Sequence, residues 1–429
     1  MSDKPLPPPE SAEQATAPPM EAPAPPPARP RGIVFMHHAE APTFVPFPPG
    51  RLVLGRDPAA GIPLAGRAVS WQHAELVITD DQIVIRDLDS TNGVQVGGLR
   101  VREARLDGGA LVRLGDFLGL VVDEPFEKPA HDPFPEAEKL GFVIGPALAA
   151  ALAPLAALGP RPKSARSRAT RITVEGETGA GKAMVARLIH ERVAPQGTFR
   201  AVDCATWGAE ADTDGAIEAL FEECQKGSVF LGNLPALSPR AQVRLAAALE
   251  DGGAAKVTLI VGSQEPLEAA VKNGELLPSL VPVVSALTVR VPPLRQRVID
   301  IPVLFRHLVQ AQGRKRRPTI STELLERLCL YDWPCNVREM VLLAQRLLAF
   351  HGDEPRLRVT HLPARLVPVD REDTTLPVAP VVSGVDLSAL LNAVRDAGGN
   401  IGGAALRLGI TRERAYRLID RMGLTRGSA

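Results

Sequence analysis

Glycines and a lysine near the middle of the chain are spaced as a phosphate-binding loop requires. The segment GETGAGK follows the pattern G-x-x-x-x-G-K. The glycines let backbone N–H groups approach phosphate oxygens, and the lysine reaches the outer phosphates. An alanine follows, where a Ser or Thr would offer magnesium a hydroxyl. The predicted nucleotide-binding residues are Gly176, Glu177, Thr178, Gly179, Ala180, Gly181, Lys182 and Ala183.

Near the N-terminus, a second group of residues suits the binding of a phosphate ester. Arg56 offers a guanidinium fork for charge-assisted contact with a phosphate dianion, and Ser70 offers a hydroxyl donor. Asn92 precedes a glycine and can hold the backbone of a bound partner. These residues stand in three fragments that follow one another: GRDP, VSWQHA and STNGV. We predict that they bind a phosphopeptide; the alternative is that they are ordinary polar surface groups.

The three fragments, in this order and at these separations, resemble the forkhead-associated (FHA) domain. The resemblance implies a phosphothreonine-reading module whose partner is linked to a Ser/Thr kinase, with His73 bracing the binding loops. Period-two alternation between Arg51 and Val122 predicts an all-β sandwich. Trp71 departs from the family, which commonly has a basic or small residue there, and Arg67 is a candidate to compensate. The alternative is a degenerate sandwich that only docks to its neighbours.

The last stretch of the chain concentrates positive charge. From Thr411 to Arg426, five arginines stand against two acids, a net charge of +3, although the whole chain balances 49 basic against 49 acidic residues. Arginines on a helix suit the phosphates and the base edges of DNA. The predicted DNA-binding residues are Arg412 and Glu413 at base edges, and Tyr416 and Arg417 at phosphates.

Three short helices are predicted to carry these residues over 385–426. The segments VDLSALLNAVRDAGG, NIGGAALRLGI and TRERAYRLIDRMGL have helical spacing and turn residues between them. Together they predict a helix-turn-helix, and they resemble the Fis-type C-terminal domain. A domain this small reads one half-site, so we expect a homo-oligomer, a dimer or higher, on promoter or enhancer DNA. The alternative is a three-helix cap whose arginines are only solvated.

The chain around the glycine loop alternates strands and helices, which predicts an α/β nucleotide-binding domain. Four longer fragments resemble the AAA+ domain of sigma-54-dependent transcription activators: GSVFLGNLPALSPRAQVRLAAALEDG, LLPSLVPVVSALTVRV, VRVPPLRQRVIDIPVL and YDWPCNVREMVLLAQRL. Members of that family form rings, hydrolyse ATP between subunits and remodel polymerase through the sigma factor. The resemblance implies that Arg338 senses the outer phosphate from a helical lid, and that Ala183 replaces a glutamate.

Several positions depart from that family's pattern. Gly232 and Asn233 end a buried strand where the family has two acids, one for magnesium and one for the attacking water. Leu277 and Val283 stand where interface arginines are expected, and Gln264 replaces a sensor asparagine. The chain also has no room for the sigma-contacting hairpin before FEECQKGSVFLGN. We therefore predict that ATP is bound but not hydrolysed, that no residue is catalytic, and that the chain is not an enzyme. The alternative for the loop is a purely structural role.

Composition sets the class of the protein. No apolar run in the 429 residues reaches the roughly 18 needed to span a bilayer, and the N-terminus lacks a signal-peptide pattern. Four scattered cysteines without a CxxC pair predict neither a disulfide framework nor a zinc site, and no metal is expected. These features predict a cytoplasmic protein without a membrane partner.

Composition also divides the chain into folded parts and tethers. Proline-rich segments with few large apolar residues cannot bury enough surface to fold. The predicted parts are a disordered Pro-rich tail over 1–31, an FHA-like β-sandwich over 32–122, a linker over 123–139, an AAA+ α/β core over 140–300, its helical lid over 301–366, a second linker over 367–384 and a Fis-type helix-turn-helix over 385–426.

The residues together predict a DNA-binding transcription regulator. A phosphothreonine signal enters at the sandwich, and a non-hydrolysing AAA+ core transmits it to the DNA-binding end. Two alternatives stay open. One is an ATP-hydrolysing sigma-54-dependent activator, which needs a carboxylate at position 232 or 233. The other is a signalling scaffold whose sandwich and core bind protein partners.

Overall fold

The computed structural model describes most of the chain between residues 32 and 366. The described residues are 32–36, 42–79, 82–124, 131–159, 170–211, 215–251, 256–311, 317–366, 390, 392–394, 401, 404, 405, 408 and 415. The predicted tail over 1–31 and linker over 367–384 lie outside them. So do the predicted DNA-binding residues Arg412, Glu413, Tyr416 and Arg417.

The first domain is built from eleven short strands in two sheets. The strands are β1 (Gly32–Phe35), β2 (Thr43–Pro46), β3 (Gly50–Gly55), β4 (Ile62–Pro63), β5 (Ala74–Ile78), β6 (Ile83–Asp87), β7 (Val94–Val96), β8 (Leu99–Val101), β9 (Glu103–Arg105), β10 (Leu111–Leu114) and β11 (Phe117–Val122). One sheet has the order β2-β1-β11-β10-β7-β8, and the other has the order β4-β3-β5-β6-β9. All pairings are antiparallel except that of β3 with β4.

The alternation of side chains along these strands explains why they form a sandwich. In β5, Ala74, Leu76 and Ile78 are buried while the residues between them are partly exposed. Successive residues of a strand point to opposite faces, so each sheet has one apolar face to cover. The two faces share one buried cluster that includes Ile33, Leu54, Leu76 and Ile85. The predicted all-β fold is confirmed.

The second domain is an α/β core around one parallel sheet. Its elements are α1 (Glu136–Lys139), α2 (Pro146–Ala151), β12 (Arg171–Glu175), α3 (Lys182–Val193), β13 (Phe199–Asp203), α4 (Cys204–Ala211), α5 (Ala216–Glu223), β14 (Ser228–Gly232), α6 (Pro239–Glu250), β15 (Thr258–Ser263), α7 (Leu267–Lys272), α8 (Val281–Val284) and β16 (Leu287–Arg290). The strand order is β13-β14-β15-β12-β16. β15 is buried along its whole length, as expected of a parallel strand covered on both faces.

Residues that the sequence assigned to the first linker belong in part to this core. Phe134 is 1% exposed and packs in the cluster with Leu148 and Leu188, and Ala137 of α1 is also buried. The predicted boundary at 139 is therefore too late, because the folded chain is already packed by 134. Prolines and charges surround this phenylalanine in the sequence, so the local composition does not indicate its burial.

The helical lid follows the core. Its elements are α9 (Ile301–Gln310), β17 (Thr319–Ile320), α10 (Thr322–Leu330), α11 (Asn336–His351) and β18 (Arg356–Leu357). Ser321 caps α10, because its side chain accepts a hydrogen bond from the N–H of Leu324 over 3.2 Å. Trp333 is fully buried between the helices, and its ring N–H donates to the carbonyl of Leu328 over 2.8 Å. The predicted helical lid is confirmed.

The described positions beyond 366 are few. Leu390, Val394, Ala404, Ala405 and Ala415 are buried in one small cluster. The predicted three-helix fold over 385–426 stays a prediction. Within the described part of the chain, no helix combines the length and the apolar character that crossing a membrane requires.

Candidate nucleotide and phosphopeptide sites

The glycine loop joins the end of β12 to the start of α3. Lys182 is the first residue of α3, and its ammonium group donates to the carbonyls of Gly176 over 2.5 Å and Glu177 over 3.1 Å. The loop therefore wraps around the lysine side chain. This curved backbone leaves the N-terminus of α3 directed at the loop, where helix N–H groups attract phosphate oxygens.

The charge of Lys182 is sensitive to its surroundings. Burial, and then the nearby positive charge of Arg338, lower the pKa of Lys182 to about 8, while Glu177 acts in the opposite direction. Two cations brought together by the core and the lid form a favourable site for an anion such as a triphosphate. The sequence-predicted Arg338 therefore lies close to the predicted lysine.

The lid is fastened directly to the glycine loop. The backbone N–H of Val337 donates to the carbonyl of Gly179 over 3.0 Å. Gly179 has a φ of 74°, and a Cβ there would lie 2.2 Å from the carbonyl oxygen of Cys335. Only glycine meets both conditions, so this glycine allows the lid to approach as well as shaping the loop.

Three polar residues complete this junction, and none of them was predicted from the sequence. Asn336 is fully buried, and its side-chain amide donates to the carbonyl of Thr178 over 3.1 Å and to Glu177 over 3.2 Å. Arg295 donates to the Glu177 carboxylate over 2.7 Å, and Arg297 donates to the carbonyl of Ala180 over 2.8 Å. The sequence feature that could have indicated them is the presence of polar residues in the otherwise apolar fragments VPPLRQRV and PCNVREM.

Glu177 therefore serves the junction between loop and lid. Its carboxylate accepts hydrogen bonds from Arg295 and Asn336, while its backbone belongs to the phosphate-binding loop. The side chain of Thr178 points away from the lid. Its hydroxyl donates to the side-chain oxygen of Gln264 over 3.0 Å. Gln264 directly follows the end of β15, so the predicted sensor position contacts the predicted loop.

The end of β14 carries no acid. Gly232 closes the strand, and Asn233 follows with φ 58° and ψ 52°, a left-handed conformation that asparagine tolerates. Magnesium prefers hard oxygen ligands, carboxylates above all, and these two positions together with Ala183 supply neither a carboxylate nor a hydroxyl. They do not fit the metal site that the family implies.

The nearest register partner of Gly232 does carry an acid. Asp203 ends β13 and pairs with Gly232 across the parallel sheet. In-register residues of parallel strands lie about 4.8 Å apart and point to the same face. Asp203 is exposed, and one of its carboxylate oxygens accepts a hydrogen bond from the N–H of Ala205 over 3.1 Å. A carboxylate thus stands one strand away from the predicted acid position.

The two positions expected to hold interface arginines serve packing within the chain. Leu277 and Val283 are partly buried against the cluster that fills one side of the sheet. The backbone N–H of Leu277 donates to Gln242 over 2.8 Å, and the carbonyl of Val283 accepts from Arg171 over 2.5 Å.

In the first domain, the structure brings the three predicted phosphopeptide residues to one end of the sandwich. The backbone N–H of Arg56 donates to the carbonyl of Ser70 over 2.9 Å. The N–H of Thr91 donates to the Ser70 hydroxyl oxygen over 3.1 Å, and Asn92 donates to the carbonyl of Ala68 over 2.7 Å. Thr91 is a further residue of this cluster that the sequence reading did not single out.

His73 lies beneath these loops and is fully buried. Its Nδ1 accepts from the N–H of Ser70 over 3.0 Å, and its Nε2 faces the carbonyl of Gly93 over 3.2 Å. Burial lowers the pKa of His73, although the Gly93 carbonyl and Asp87 oppose this shift. A neutral ring with its proton on Nε2 therefore links two of the predicted binding loops. Trp71 projects beside them and is 57% exposed.

One group of side chains in the described residues resembles a metal-ligand set. The candidate ligand atoms of His351, Glu354 and His361 lie within 4.8 Å of one another. However, Nδ1 of His361 accepts from the backbone N–H of Arg358 over 3.2 Å, which leaves the ring proton on Nε2, 3.3 Å from Glu354. This nitrogen then donates to the carboxylate instead of offering a lone pair to a metal.

Comparison with known proteins places family boundaries on the chain. The family model of the FHA domain matches residues 52–115. The sigma-54 interaction domain matches residues 150–294, and the AAA+ ATPase lid domain matches residues 295–377. The first match contains Arg56, Ser70 and Asn92, and the second contains the glycine loop.

Relatives align along much of the chain. The transcriptional regulatory protein ZraR of Escherichia coli strain K12 is 28% identical over 327 residues, which cover 68% of this chain and 71% of that protein. The transcriptional regulatory protein XylR of Pseudomonas putida is 31% identical over 303 residues, which cover 60% of this chain and 53% of that protein. Among solved structures, NtrX from Brucella abortus in complex with ATP is 25% identical with a TM-score of 0.41, and covers 59% of this chain and 64% of that chain.

The prediction that the chain is not an enzyme is wrong. The sigma-54 interaction domain is typically an ATPase, and its match to this chain includes the whole glycine loop. The absence of acids at Gly232 and Asn233 and of arginines at Leu277 and Val283 is a true feature of the chain, but it does not establish inactivity. That inference overlooked the neighbouring strand, where Asp203 stands.

The matches also confirm the predicted fusion of an FHA domain with a sigma-54 interaction domain and its lid, while none of these three family models extends to the predicted helix-turn-helix over 385–426. Each lies in the part of the chain where the sequence placed it, and the relatives are transcriptional regulatory proteins. The chain therefore joins an FHA domain to a sigma-54 interaction domain and its AAA+ lid.

Proposed function

We propose that the chain is a DNA-binding transcriptional regulator of the sigma-54 activator type, with a phosphothreonine-reading input domain and an ATP-dependent core. The order of its matched domains and its similarity to ZraR and XylR support this function. The observation that carries it is the junction of lid and loop. Lys182, Arg338 and the backbone around Gly179 there form a cationic phosphate cradle between two domains.

ATP is the ligand proposed for this cradle. The loop residues from Gly176 to Ala183 would surround the phosphates with backbone N–H groups. Lys182 and Arg338 would neutralise the outer phosphates, because both cations are close enough to shift the lysine pKa. Thr178 and Gln264, in contact over 3.0 Å, would lie on the side of the outermost phosphate.

For hydrolysis, Asp203 is the proposed carboxylate. Its register with Gly232 supports this assignment, because the side chain points to the face where the missing acid would lie. A water molecule would attack the terminal phosphorus and give its proton to Asp203, while the bond to the bridging oxygen breaks and ADP leaves. The backbone N–H of Ala205 holds one carboxylate oxygen of Asp203, and the second oxygen would accept the proton.

The FHA domain is proposed to bind a phosphothreonine segment of a protein linked to a Ser/Thr kinase. Ser70 and Thr91 are hydrogen-bonded to each other beside Arg56 at one end of the sandwich, and Asn92 is held there by the carbonyl of Ala68. A guanidinium and two hydroxyls at one loop end match the charge and the acceptor oxygens of a phosphate dianion.

DNA contact is proposed for Arg412, Glu413, Tyr416 and Arg417, and a homo-oligomer is proposed because one helix-turn-helix reads one half-site. Genome-wide mapping of the full chain in its native cell, with the kinase active and inactive, tests the proposed function. We expect discrete binding sites near promoters and changed transcription of the adjacent genes. An absence of specific sites, together with retained capture of phosphorylated proteins, would instead identify a signalling scaffold.

A further inference from the structure

The FHA domain is packed against the lid, and the two share one apolar core. Val34 and Met36 at the end of β1, Leu111 of β10 and Leu118 of β11 belong to the same buried cluster as the lid helices. Their lid partners in this cluster are Phe305 of α9 and Leu324, Leu325 and Leu328 of α10. We call this contact the FHA–lid interface. Its apolar residues are buried as fully as the core of either domain.

A buried ion pair lies inside the FHA–lid interface. Arg113 of β10 donates to the carboxylate of Glu326 in α10 over 2.8 Å, and their side chains are 11% and 2% exposed. Nearby, the Thr322 hydroxyl donates to the carbonyl of Asp116 over 3.4 Å. A charge buried with its partner is costly to separate, because the group left behind loses both water and its counter-ion. The pair therefore fixes the orientation of the domains.

One end of this interface is continuous with the phosphopeptide site. Asn92 and Gly93 lead directly into β7, and Gln95 of β7 pairs in register with Arg113. The turn after β7 touches the lid as well, since a Cβ at Gly98 would lie 2.9 Å from Arg327 and from Leu330 of α10. The loop that holds Asn92 is thus three residues from the strand partner of the buried arginine.

The other end is continuous with the nucleotide site. The ring N–H of Trp333 donates to the carbonyl of Leu328, the last turn of α10, over 2.8 Å. The backbone N–H of Asn336 donates to the carbonyl of Trp333 over 2.8 Å, and Asn336 then holds Thr178 of the glycine loop. A chain of hydrogen bonds therefore connects α10 to the phosphate cradle.

From this continuity we infer that the FHA–lid interface couples the two ligand sites, so that a phosphothreonine peptide and ATP each strengthen the binding of the other. The inference rests on the proposed function for the ligands of both sites. A bound peptide stabilises the loop before β7, this favours the docked arrangement of Arg113 on Glu326, and the docked lid holds Asn336 and Arg338 over the glycine loop. Linkage makes the effect reciprocal, and couplings between protein sites are typically about 5- to 150-fold.

The test measures ATP affinity of the full chain with and without a saturating phosphothreonine peptide selected from a degenerate library, with the unphosphorylated peptide as control. We expect at least about a fivefold tighter affinity for ATP with the phosphopeptide, and the same factor for the peptide when ATP is present. Glu326→Gln removes the buried charge pair. We expect the ratio of ATP affinities with and without the phosphopeptide to be close to one in this variant. Glu103→Gln, at the exposed pair of Arg86 and Glu103 on the same domain, is expected to leave it unchanged.

A second variant separates loss of docking from loss of folding. The double change Arg113→Met with Glu326→Leu replaces the ion pair by apolar packing, which proteins accept at little cost. It should dock and retain the coupling that Glu326→Gln loses. Equal ATP affinity with and without phosphopeptide in a wild-type chain that binds both ligands would overturn the inference, as would unchanged coupling in Glu326→Gln. A wild-type chain that fails to bind ATP or the peptide would overturn the proposed function itself, and the inference with it.

Discussion

The side-chain amide of Asn336 donates a hydrogen bond to the carbonyl of Thr178 over 3.1 Å, so a residue of the lid holds the backbone of the glycine loop. The same asparagine accepts from the N–H of Leu294 over 2.9 Å and has a φ of 51°. Asparagine tolerates this left-handed conformation better than most residues. One buried residue thus ties the lid, the connecting segment and the loop together, which makes the position of the lid part of the nucleotide site.

The lowered pKa of Lys182 predicts that nucleotide affinity depends on pH. The pKa in the free protein is about 8, and a bound phosphate raises it by favouring the charged form. Below that pKa the lysine is already charged, and the affinity for the nucleotide has its highest value. Above it the lysine must take up a proton on binding, so the affinity for ADP should fall by up to about tenfold per pH unit. Calorimetric titration from about pH 7 to about pH 9.5 measures this slope.

The matched control for this measurement is Lys182→Arg. A guanidinium keeps its charge over the whole range, so its affinity should be nearly flat with pH even if it is weaker overall. An equal slope in both proteins would mean that another group titrates.

Replacement of Arg56 or Ser70 by alanine should abolish selective capture of phosphothreonine peptides. Arg56 supplies the charge for the phosphate, and Ser70 is hydrogen-bonded to Thr91 in the same cluster. Fluorescence anisotropy with phosphorylated and unphosphorylated peptides measures the loss, and circular dichroism checks the fold. Arg51→Ala is the control, because that arginine is 71% exposed on the same sandwich. Tight binding of both peptides by the wild type would contradict a phosphate-reading site.

If Asp203 acts as the hydrolytic carboxylate, Asp203→Asn should lower the rate of ATP hydrolysis. A positioned general base contributes about 10²- to 10⁴-fold, so the loss should be at least about 100-fold in kcat. ATP affinity should stay within about twofold, because binding rests on the loop and on Arg338. Asp251→Asn, a change at an exposed acid after α6, serves as the control. Full activity of the Asp203→Asn protein would remove Asp203 from the reaction.

Phe134→Ala should destabilise the α/β core. The side chain is 1% exposed among Leu148 and Leu188, and loss of a buried phenylalanine costs about 3–5 kcal/mol of unfolding free energy. Urea denaturation of the full chain, followed through the core transition, measures the change. The same substitution at Phe350, which is 75% exposed, should have little effect. Similar stability of the two variants would return residues 131–139 to the linker.

Residues joined by short spacing are those whose proximity can be predicted from the sequence. A glycine loop between a strand and a helix, or an arginine and a serine at adjacent loops of a sandwich, can be recognised from local patterns. The pair of Arg113 and Glu326 cannot, because 213 residues separate them and nothing local distinguishes either from a surface charge. Asp203 was missed for a related reason. Its place beside Gly232 depends on the order of strands in the sheet, and this order cannot be deduced from local sequence patterns. Phe134 was hidden among prolines and charges.

Lys182 is proposed to hold ATP in the cradle between loop and lid, and this role can be measured directly. Titration of ATP into the full chain at about pH 7, with the wild type, Lys182→Ala and the exposed-residue control Lys272→Ala, tests it most directly. We expect saturable binding by the wild type and the control, and at least about tenfold weaker binding by Lys182→Ala, because a charge-assisted contact with phosphate is worth about 1.5–3 kcal/mol. Absence of saturable binding by the wild type, or equal affinity in all three proteins, would contradict it.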